Sequence, residues 1–359
     1  MGLIRVTLAL AVLLSHLPPA TFHFIGGGLA VQGFFIVSGF YMALVLDGKY
    51  KDVGLFYSNR LLRLFPTYFV MMGLAAIALF GFNASATASR EIFETAFSNP
   101  GSAIILGLQN LTLIGQDMLF WFTLTPDGAL ALDPSGPLPT AETPVAWQAL
   151  LVPQSWSLSM ELLFYALAPV LARLDWRIVA AIAAASIGLR FSNELFGVAY
   201  PLWQGRFFPT ALFLFLFGML AHKALPFAAR LPKPVGWSAC MGLLALLILG
   251  PQPPLEGEAA RWLVYLAIAC ATPFIFNASK DFVFDRWIGD LSYPIYLTHL
   301  MVVGIVLTYE LPFATWTAIG LTLALSIALL VLVDHPVDRW RQARMKRAEP
   351  AGAPAPAPL

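Results

Sequence analysis

The chain has 359 residues, of which 59% are apolar and only 11% are charged. Soluble domains carry roughly a quarter charged residues, so this composition excludes an ordinary soluble protein and indicates a protein that folds in lipid. The 21 basic and 20 acidic residues nearly cancel, which excludes a general basic field for nucleic acid. The two cysteines and five histidines form no close cluster, so neither a disulfide framework nor a metal site is predicted.

Ten apolar stretches are candidates for membrane-spanning helices, because each approaches the length of about 20 residues that a bilayer requires. The predicted fold is therefore an all-α integral membrane protein, a bundle of about ten transmembrane helices. In chain order, the stretches are 4–23, 28–46, 62–82, 156–172, 177–190, 207–222, 236–250, 261–277, 288–308 and 314–333.

The distribution of positive charge predicts that both termini are cytoplasmic. With ten spans in that orientation, only Arg90, Arg190, Arg206 and Arg261 of the 21 basic residues lie outside. A further apolar run at about 101–124 contains several polar residues, and its insertion as a full span would invert the rest of the chain.

These considerations divide the chain into two parts. Residues 1–340 are predicted to form the transmembrane domain, in which 83–155 is an outer loop or a re-entrant segment. Residues 341–359 are predicted to be a disordered cytoplasmic tail, since the sequence ends in a stretch rich in proline and alanine.

The first predicted helix contains Arg5 and, eleven residues later, His16. If Arg5 marks the cytoplasmic surface, His16 lies near the middle of the membrane or slightly beyond. A neutral imidazole suits proton abstraction near neutral pH, so His16 is a candidate general base. A histidine hydrogen-bonded between packed helices is the alternative interpretation.

The third predicted helix begins with Arg60 and Arg63, which share one helix face. Two guanidinium groups on one face are suited to hold a phosphate-bearing ligand. The alternative is an ordinary positive-inside anchor whose side chains extend to the membrane surface.

Two later segments place ionisable residues inside predicted spans. Glu161 lies five residues beyond Trp156, and it either orients His16, binds an acceptor hydroxyl or pairs with an arginine such as Arg206 or Arg190. His299 follows Tyr293 and Pro294 at about the depth of His16, and its role is catalytic, ligand-orienting or structural.

In combination, these segments resemble the acyltransferase-3 family of membrane proteins, which transfer acyl groups onto sugar hydroxyls. The resemblance rests on the pair of Arg5 and His16, on Gly33–Phe40 with Ser38, on Arg60-Leu-Leu-Arg63, on Trp156–Tyr165 and on Leu291–His299. The sequence departs from the family at two positions: Gln32 replaces a frequent aspartate, and Asp334 replaces a frequent glutamate.

The resemblance implies a membrane-embedded O-acyltransferase of the bacterial cytoplasmic (inner) membrane. It would move an acyl group, acetyl by default, from acyl-CoA to a hydroxyl of an envelope or exported glycan, with acetyl-CoA as co-substrate and no bound cofactor or metal. Acyl-CoA, a glycan or lipid-linked sugar and the bilayer would be its partners. A secondary transporter of a small polar solute and a non-catalytic membrane scaffold are the alternatives.

The same resemblance assigns roles to residues of this chain. His16 and Glu161 would be catalytic, and Arg5, Arg60 and Arg63 would bind acyl-CoA. The acceptor or the lining of the active site would involve Gln32, Ser38, Trp156, Tyr293 and His299.

Overall fold

The fold is a bundle of helices with one small β-hairpin. The computed structural model describes residues 1–17, 24–48, 52–136, 138–140, 143–198, 200–250 and 257–348. In these ranges, the α-helices are α1 (Gly2–Leu14), α2 (Gly27–Gly48), α3 (Val53–Ala76), α4 (Arg90–Ser98), α5 (Pro100–Thr112), α6 (Trp156–Leu171), α7 (Trp176–Arg190), α8 (Tyr200–Gly205), α9 (Phe208–His222), α10 (Leu225–Ala228), α11 (Lys233–Leu249), α12 (Gly257–Ser279), α13 (Val283–Thr308), α14 (Ala314–Leu329) and α15 (His335–Ala348).

Each of the ten predicted stretches overlaps a helix, although residues 18–23 of the first stretch lie outside the described residues. Among the described residues, six helical segments are long and apolar enough to cross a membrane: Gly27–Asp47, Val53–Gly81, Leu202–His222, Gly257–Ser279, Val283–Thr308 and Ala314–Met345. Helices α1 and α11 are apolar but shorter. Helices α6 and α7 have 16 and 15 residues. The fold is thus that of a multi-pass membrane protein.

Helix α1 ends earlier than the sequence predicted. The stretch 4–23 was expected to be helical throughout, but the helix ends at Leu14 and His16 lies in the turn that follows. Pro18 and Pro19 explain the difference, because a proline has no N–H to donate and disfavours helical geometry in the residue before it. His16 therefore lies beyond the carboxyl end of α1 rather than within a helix.

The segment 83–155 has structure of its own. Its described residues contain α4, α5 and a hairpin of β1 (Phe122–Leu124) and β2 (Leu130–Leu132), whose strands pair antiparallel. The apolar run 101–124 is not one helix, since α5 ends at Thr112 and the next residue, Leu113, adopts a left-handed conformation with φ of 66°. The hairpin adds two short strands to a fold that was predicted to be all-α.

The carboxyl-terminal helix extends into the region that was predicted to be a disordered tail. Residues 341–348 belong to α15, so the expected boundary at 341 is wrong. Arg341 pairs with Asp338 one turn earlier, and Arg344 donates a hydrogen bond of 3.1 Å to Ser58 of α3. These contacts hold the end of α15 against α3. The rest of the predicted tail, residues 349–359, lies outside the described residues.

Helices α2 and α9 pack with their backbones in close contact. A Cβ atom on Gly39 would overlap the carbonyl oxygen of Phe215, and a Cβ atom on Gly218 would overlap that of Ile36. Small residues that permit such an approach are typical of helix pairs in membranes. This contact fixes α2, and with it Ser38, relative to the other helices.

Candidate active site

A cavity of about 350 Å³ lies between seven helices and opens at one end of the bundle. Its lining comes from the first turn of α1, most of α2, the middle of α3, the first halves of α6 and α13, the end of α12, and α15. The Asp285 carboxylate of α13 accepts hydrogen bonds from the backbone N–H groups of Gly2 and Leu3, at 2.9 Å each. Because these N–H groups begin α1, the bonds cap the helix and place Arg5 at the cavity mouth.

Six basic residues line the mouth of this cavity: Arg5, Arg60, Arg63, Lys280, Arg286 and Arg341. Two of them have ion pairs: Arg63 with Asp290 at 3.7 Å and Asp338 at 3.5 Å, and Arg341 with Asp338. The other four form no ion pair with a carboxylate anywhere in the described ranges. The mouth therefore offers unpaired positive charge to an anionic ligand.

Glu161 lies deeper in the cavity, between α2 and α3. Its Oε1 accepts a hydrogen bond from Ser38 Oγ at 2.9 Å and another from the Tyr165 hydroxyl. Tyr293 also lines the cavity and donates to the Leu64 carbonyl oxygen at 2.7 Å. The carboxylate thus keeps Oε2 free to accept a bond from a ligand, since no described residue donates to it.

Among the residues that the structure describes, Glu161 forms no ion pair with an arginine, in contrast to the pairing suggested from the sequence. Arg190 is fully buried and donates to the Gln204 carbonyl oxygen at 2.5 Å, whereas Arg206 lies over aromatic rings. Glu161 also has no contact with His16 among the described residues, so it does not orient that imidazole directly.

His16 and His299 form a pair next to the cavity but outside its lining. Their ring centroids are 5.1 Å apart. His16 Nδ1 lies 2.8 Å from the Val12 carbonyl oxygen, and His299 Nδ1 lies 2.6 Å from that of Tyr296. Because a carbonyl oxygen only accepts, each Nδ1 carries the proton, and each Nε2 is left with its lone pair.

The environments of the two imidazoles differ. His16 is exposed, whereas His299 is fully buried and its Nε2 has no hydrogen-bond partner within the described part of the chain. A buried nitrogen without a partner is costly unless a ligand or a water molecule satisfies it. The pair therefore presents one accessible and one enclosed basic nitrogen.

Tyr296 separates the cavity from the histidine pair. It lines the cavity, and its ring centroid is 5.7 Å from that of His299. Its hydroxyl group lies 2.7 Å from Ser157 Oγ and donates to the Gln154 carbonyl oxygen at 2.7 Å. Phe34 lies beside it, with 6.3 Å between the ring centroids.

Two predicted site residues lie outside the cavity. Gln32 is buried and accepts a hydrogen bond from the Tyr265 hydroxyl. Trp156 packs edge-on against Phe35, with 6.5 Å between ring centroids, and the guanidinium carbon of Arg206 lies 5.0 Å from the Trp156 ring. Both residues belong to the end of the bundle opposite the cavity mouth.

The structure thus sorts the predicted residues into three groups. The cavity brings together Arg5, Ser38, Arg60, Arg63, Glu161 and Tyr293, the adjacent pair is His16 and His299, and the opposite end holds Gln32 and Trp156. Sequence reasoning missed Lys280, Arg286, Tyr296 and Arg206. For Tyr296 a signal existed, because it lies inside the recognised segment Leu291–His299.

The arrangement defines a multi-pass helical membrane protein that encloses a polar cavity with a basic mouth. Among the described residues, no group of three or more potential metal ligands occurs. The profile of the acyltransferase-3 family, whose description is an acyltransferase domain, matches residues 1–335. The chain therefore belongs to the acyltransferase-3 family and is a membrane acyltransferase. No curated protein and no solved structure gives a significant match.

Proposed function

We propose that this protein transfers an acyl group, acetyl in the simplest case, from acyl-CoA to a hydroxyl of an envelope or exported glycan. The observation that carries the proposal is the adjacency of a cavity with a basic mouth to a pair of imidazoles. Such an arrangement can bind an anionic donor at one end and perform proton transfer at the other.

The donor would enter through the cavity mouth. Its phosphates would contact Arg5 and Arg60, whose guanidinium groups are not engaged by carboxylates. The cavity volume of about 350 Å³ is near the lower end of the usual range for ligand sites, about 300–1,000 Å³. This volume suits the narrow pantetheine arm and a short acyl group, while the nucleotide stays at the mouth.

Within the cavity, Glu161 would position the donor. Pantetheine contains amide N–H groups, and Glu161 Oε2 is available to accept a hydrogen bond from one of them. Ser38 and Tyr165 hold the carboxylate in place through Oε1. In this role, Glu161 acts on the donor and not on His16.

His16 would act as the general base. Its Nε2 takes the proton of the acceptor hydroxyl while that oxygen attacks the thioester carbonyl carbon, and the carbon–sulfur bond then breaks as the ester forms. The imidazolium returns the proton to the departing thiolate, so that CoA leaves as the thiol. Attack by Nε2 itself, through an acyl-histidine, is an alternative with the same products.

For this reaction, the acyl group must pass Tyr296. Its ring stands between the cavity and His299, and its hydroxyl is held by Ser157 and Gln154. We propose that donor binding displaces this ring and connects the cavity with the histidine pair.

The proposed topology has ten spanning helices and both termini in the cytoplasm, in a bacterial cytoplasmic membrane. The cavity mouth would then face the cytoplasmic pool of acyl-CoA, since Arg5 and α15 lie at that end. The segment 83–155 would lie on the outer side, where glycans are assembled or exported.

The test is mass spectrometry of cell-envelope glycans from a deletion strain. The strain is complemented with the wild-type chain or with His16→Gln at equal membrane levels. We expect an acyl mass increment with the wild type and none with the variant. If both chains restore the increment equally, His16 is not the base; if neither chain produces one, the protein does not acylate an envelope glycan.

A further inference from the structure

Arg206 occupies an unusual position at the end of the bundle opposite the cavity mouth. It lies in the break between α8 and α9. Its guanidinium carbon is 3.5 Å from the centroid of the Phe120 ring and 5.0 Å from that of Trp156. The side chain is therefore held between a residue of the segment 83–155 and the first residue of α6.

No carboxylate balances this charge. Arg206 forms neither an ion pair nor a side-chain hydrogen bond with any residue in the described ranges. The two aromatic faces compensate part of the cost of removing a guanidinium from water. The N–H donors at the edge of the group stay available, because ring contacts over the face do not use them.

The three other arginines on the predicted outer side differ in this respect, because each has a partner. Arg90 donates to the Phe80 carbonyl oxygen. Arg190 is 0% exposed and donates to the Gln204 carbonyl oxygen, and Arg261 pairs with Glu258 at 2.9 Å. Arg206 is only partly buried, so part of its side chain is accessible from outside the protein. Among the four, only Arg206 combines access with the absence of a hydrogen-bond or ion-pair partner in the described ranges.

Open space lies beside Arg206. A Cβ atom placed on the neighbouring Gly205 would meet nothing within 4 Å except Gln32 Nε2, at 4.0 Å. Gln32 thus borders this space with an amide N–H₂ group, a second hydrogen-bond donor. The Arg206 charge also lies close enough to His16 to interact with it electrostatically. The space is therefore near the base that the proposed function uses.

We propose that Arg206, together with Gln32 and Trp156, binds an anionic group of the acceptor. This inference rests on the proposed function for its assignment to the acceptor. Two sources share the required chemistry: the carboxylate of an acidic sugar and the phosphate that links a sugar to a lipid. The guanidinium can form two parallel hydrogen bonds with a carboxylate or with a phosphate. Trp156 would offer its ring to the sugar or the lipid.

Binding of defined probes to the purified protein in detergent tests the proposal without acyl transfer. Two matched pairs distinguish the sources: an alkyl glucuronide against the alkyl glucoside, and farnesyl diphosphate against farnesol. Affinity is measured by thermal stabilisation and by tryptophan fluorescence, for the wild type, Arg206→Gln and Arg206→Lys. Arg261→Gln is the control, since it removes an arginine from the same end of the bundle but outside the proposed site.

We expect the wild type to prefer one charged probe over its neutral partner. Arg206→Gln should weaken binding of that probe about tenfold and leave the neutral partner unaffected, as expected for loss of a charge-assisted contact. Arg206→Lys should retain an intermediate affinity, and Arg261→Gln should behave like the wild type.

Two outcomes would overturn the proposal: wild-type protein that binds no charged probe better than its neutral partner, or an equal loss in Arg206→Gln and Arg261→Gln. Thermal unfolding without probe shows whether Arg206→Gln is folded, and Arg206→Lys carries the test if it is not. Acyl transfer from acyl-CoA is assayed separately. If the charged probe binds selectively but no acyl transfer occurs, the proposed function is refuted and the anion site is still supported.

Discussion

The imidazoles of His16 and His299 lie 5.1 Å apart, and the hydrogen bonds at Nδ1 leave both Nε2 atoms unprotonated. Two such nitrogens on neighbouring rings can share the proton that leaves an acceptor hydroxyl. In the proposed reaction, His299 would then be a positioning residue beside His16 as the base.

The first prediction concerns the difference between these two histidines. His16→Gln should lower kcat about a thousandfold, within the range that loss of a general base produces. His299→Gln should lower kcat about tenfold and shift the pH profile of kcat, because it removes a neighbour that influences the proton affinity of His16. The measurement is a series of single-turnover rates with saturating acyl-CoA.

The control for this prediction is His222→Gln. His222 packs edge-on against Phe40, with 5.8 Å between ring centroids, and does not line the cavity. Its replacement should leave the rate and its pH profile unchanged. An unaltered pH profile in His299→Gln would limit His299 to a structural role.

The second prediction separates two arginines of the cavity mouth. Arg60→Gln should raise KM for acyl-CoA about tenfold with little change in kcat, because the guanidinium has no ion pair and would bind the donor phosphates. Arg63→Gln should also lower the free energy of unfolding by about 1 kcal/mol, since Asp290 loses its ion pair and Asp338 keeps only Arg341. Steady-state kinetics and thermal unfolding of the purified proteins measure both effects.

A double variant provides the control for Arg63. Asp290→Asn in the Arg63→Gln background should recover part of the lost stability without improving KM. Recovery of KM would show that the ion pair, and not phosphate binding, explains the effect on the donor.

The third prediction concerns the carboxylate inside the cavity. Glu161→Gln keeps an oxygen that accepts from Ser38 and Tyr165 but loses the charge, so the protein should fold and bind the donor about tenfold more weakly. Dissociation constants for a non-reactive thioether analogue of acyl-CoA test this expectation. Glu258→Gln, which changes a carboxylate at the other end of the bundle, should bind the analogue like the wild type.

The fourth prediction concerns the contact of α2 with α9. Gly39→Ala should greatly reduce the yield of folded protein, because the added Cβ atom overlaps the Phe215 carbonyl oxygen. Gly73→Ala in α3 is the matched control, since a Cβ atom there would meet nothing within 4 Å. Size-exclusion profiles of fluorescently tagged variants compare the two. Equal profiles would contradict the tight packing of these helices.

Hydropathy was sufficient to place all ten helical stretches, because a run of apolar residues leaves a chain in lipid few alternatives to a helix. The end of α1 was missed because the apolar run continues past Pro18 and Pro19, which terminate the helix by local geometry. The hairpin was missed although its turn contains Pro126-Asp127-Gly128, a typical turn sequence. In both cases, the prediction followed the apolar composition of the segment and disregarded the local prolines or turn residues.

The candidate site was predicted only in part, because spacing along a helix indicates some contacts but not those between distant segments. Arg60 and Arg63 share a helix face, and His16 and His299 were expected at similar depths, so spacing alone indicated which residues would meet. The aromatic position of Arg206 depends on Phe120 and Trp156, which come from two distant segments. No pattern within a single helix contains that information.

The Tyr296 ring, with Phe34 beside it, also has a consequence for the energetics of the cell. A bilayer that holds a proton gradient tolerates no continuous wet path from one face to the other. Here, the polar cavity extends from one end of the bundle as far as the Phe34 and Tyr296 rings, and the open space beside Gly205 lies toward the other end. In the proposed location and reaction, rings that move only when a donor fills the cavity would let the substrate itself close the path, and each cycle would proceed without a leak of protons.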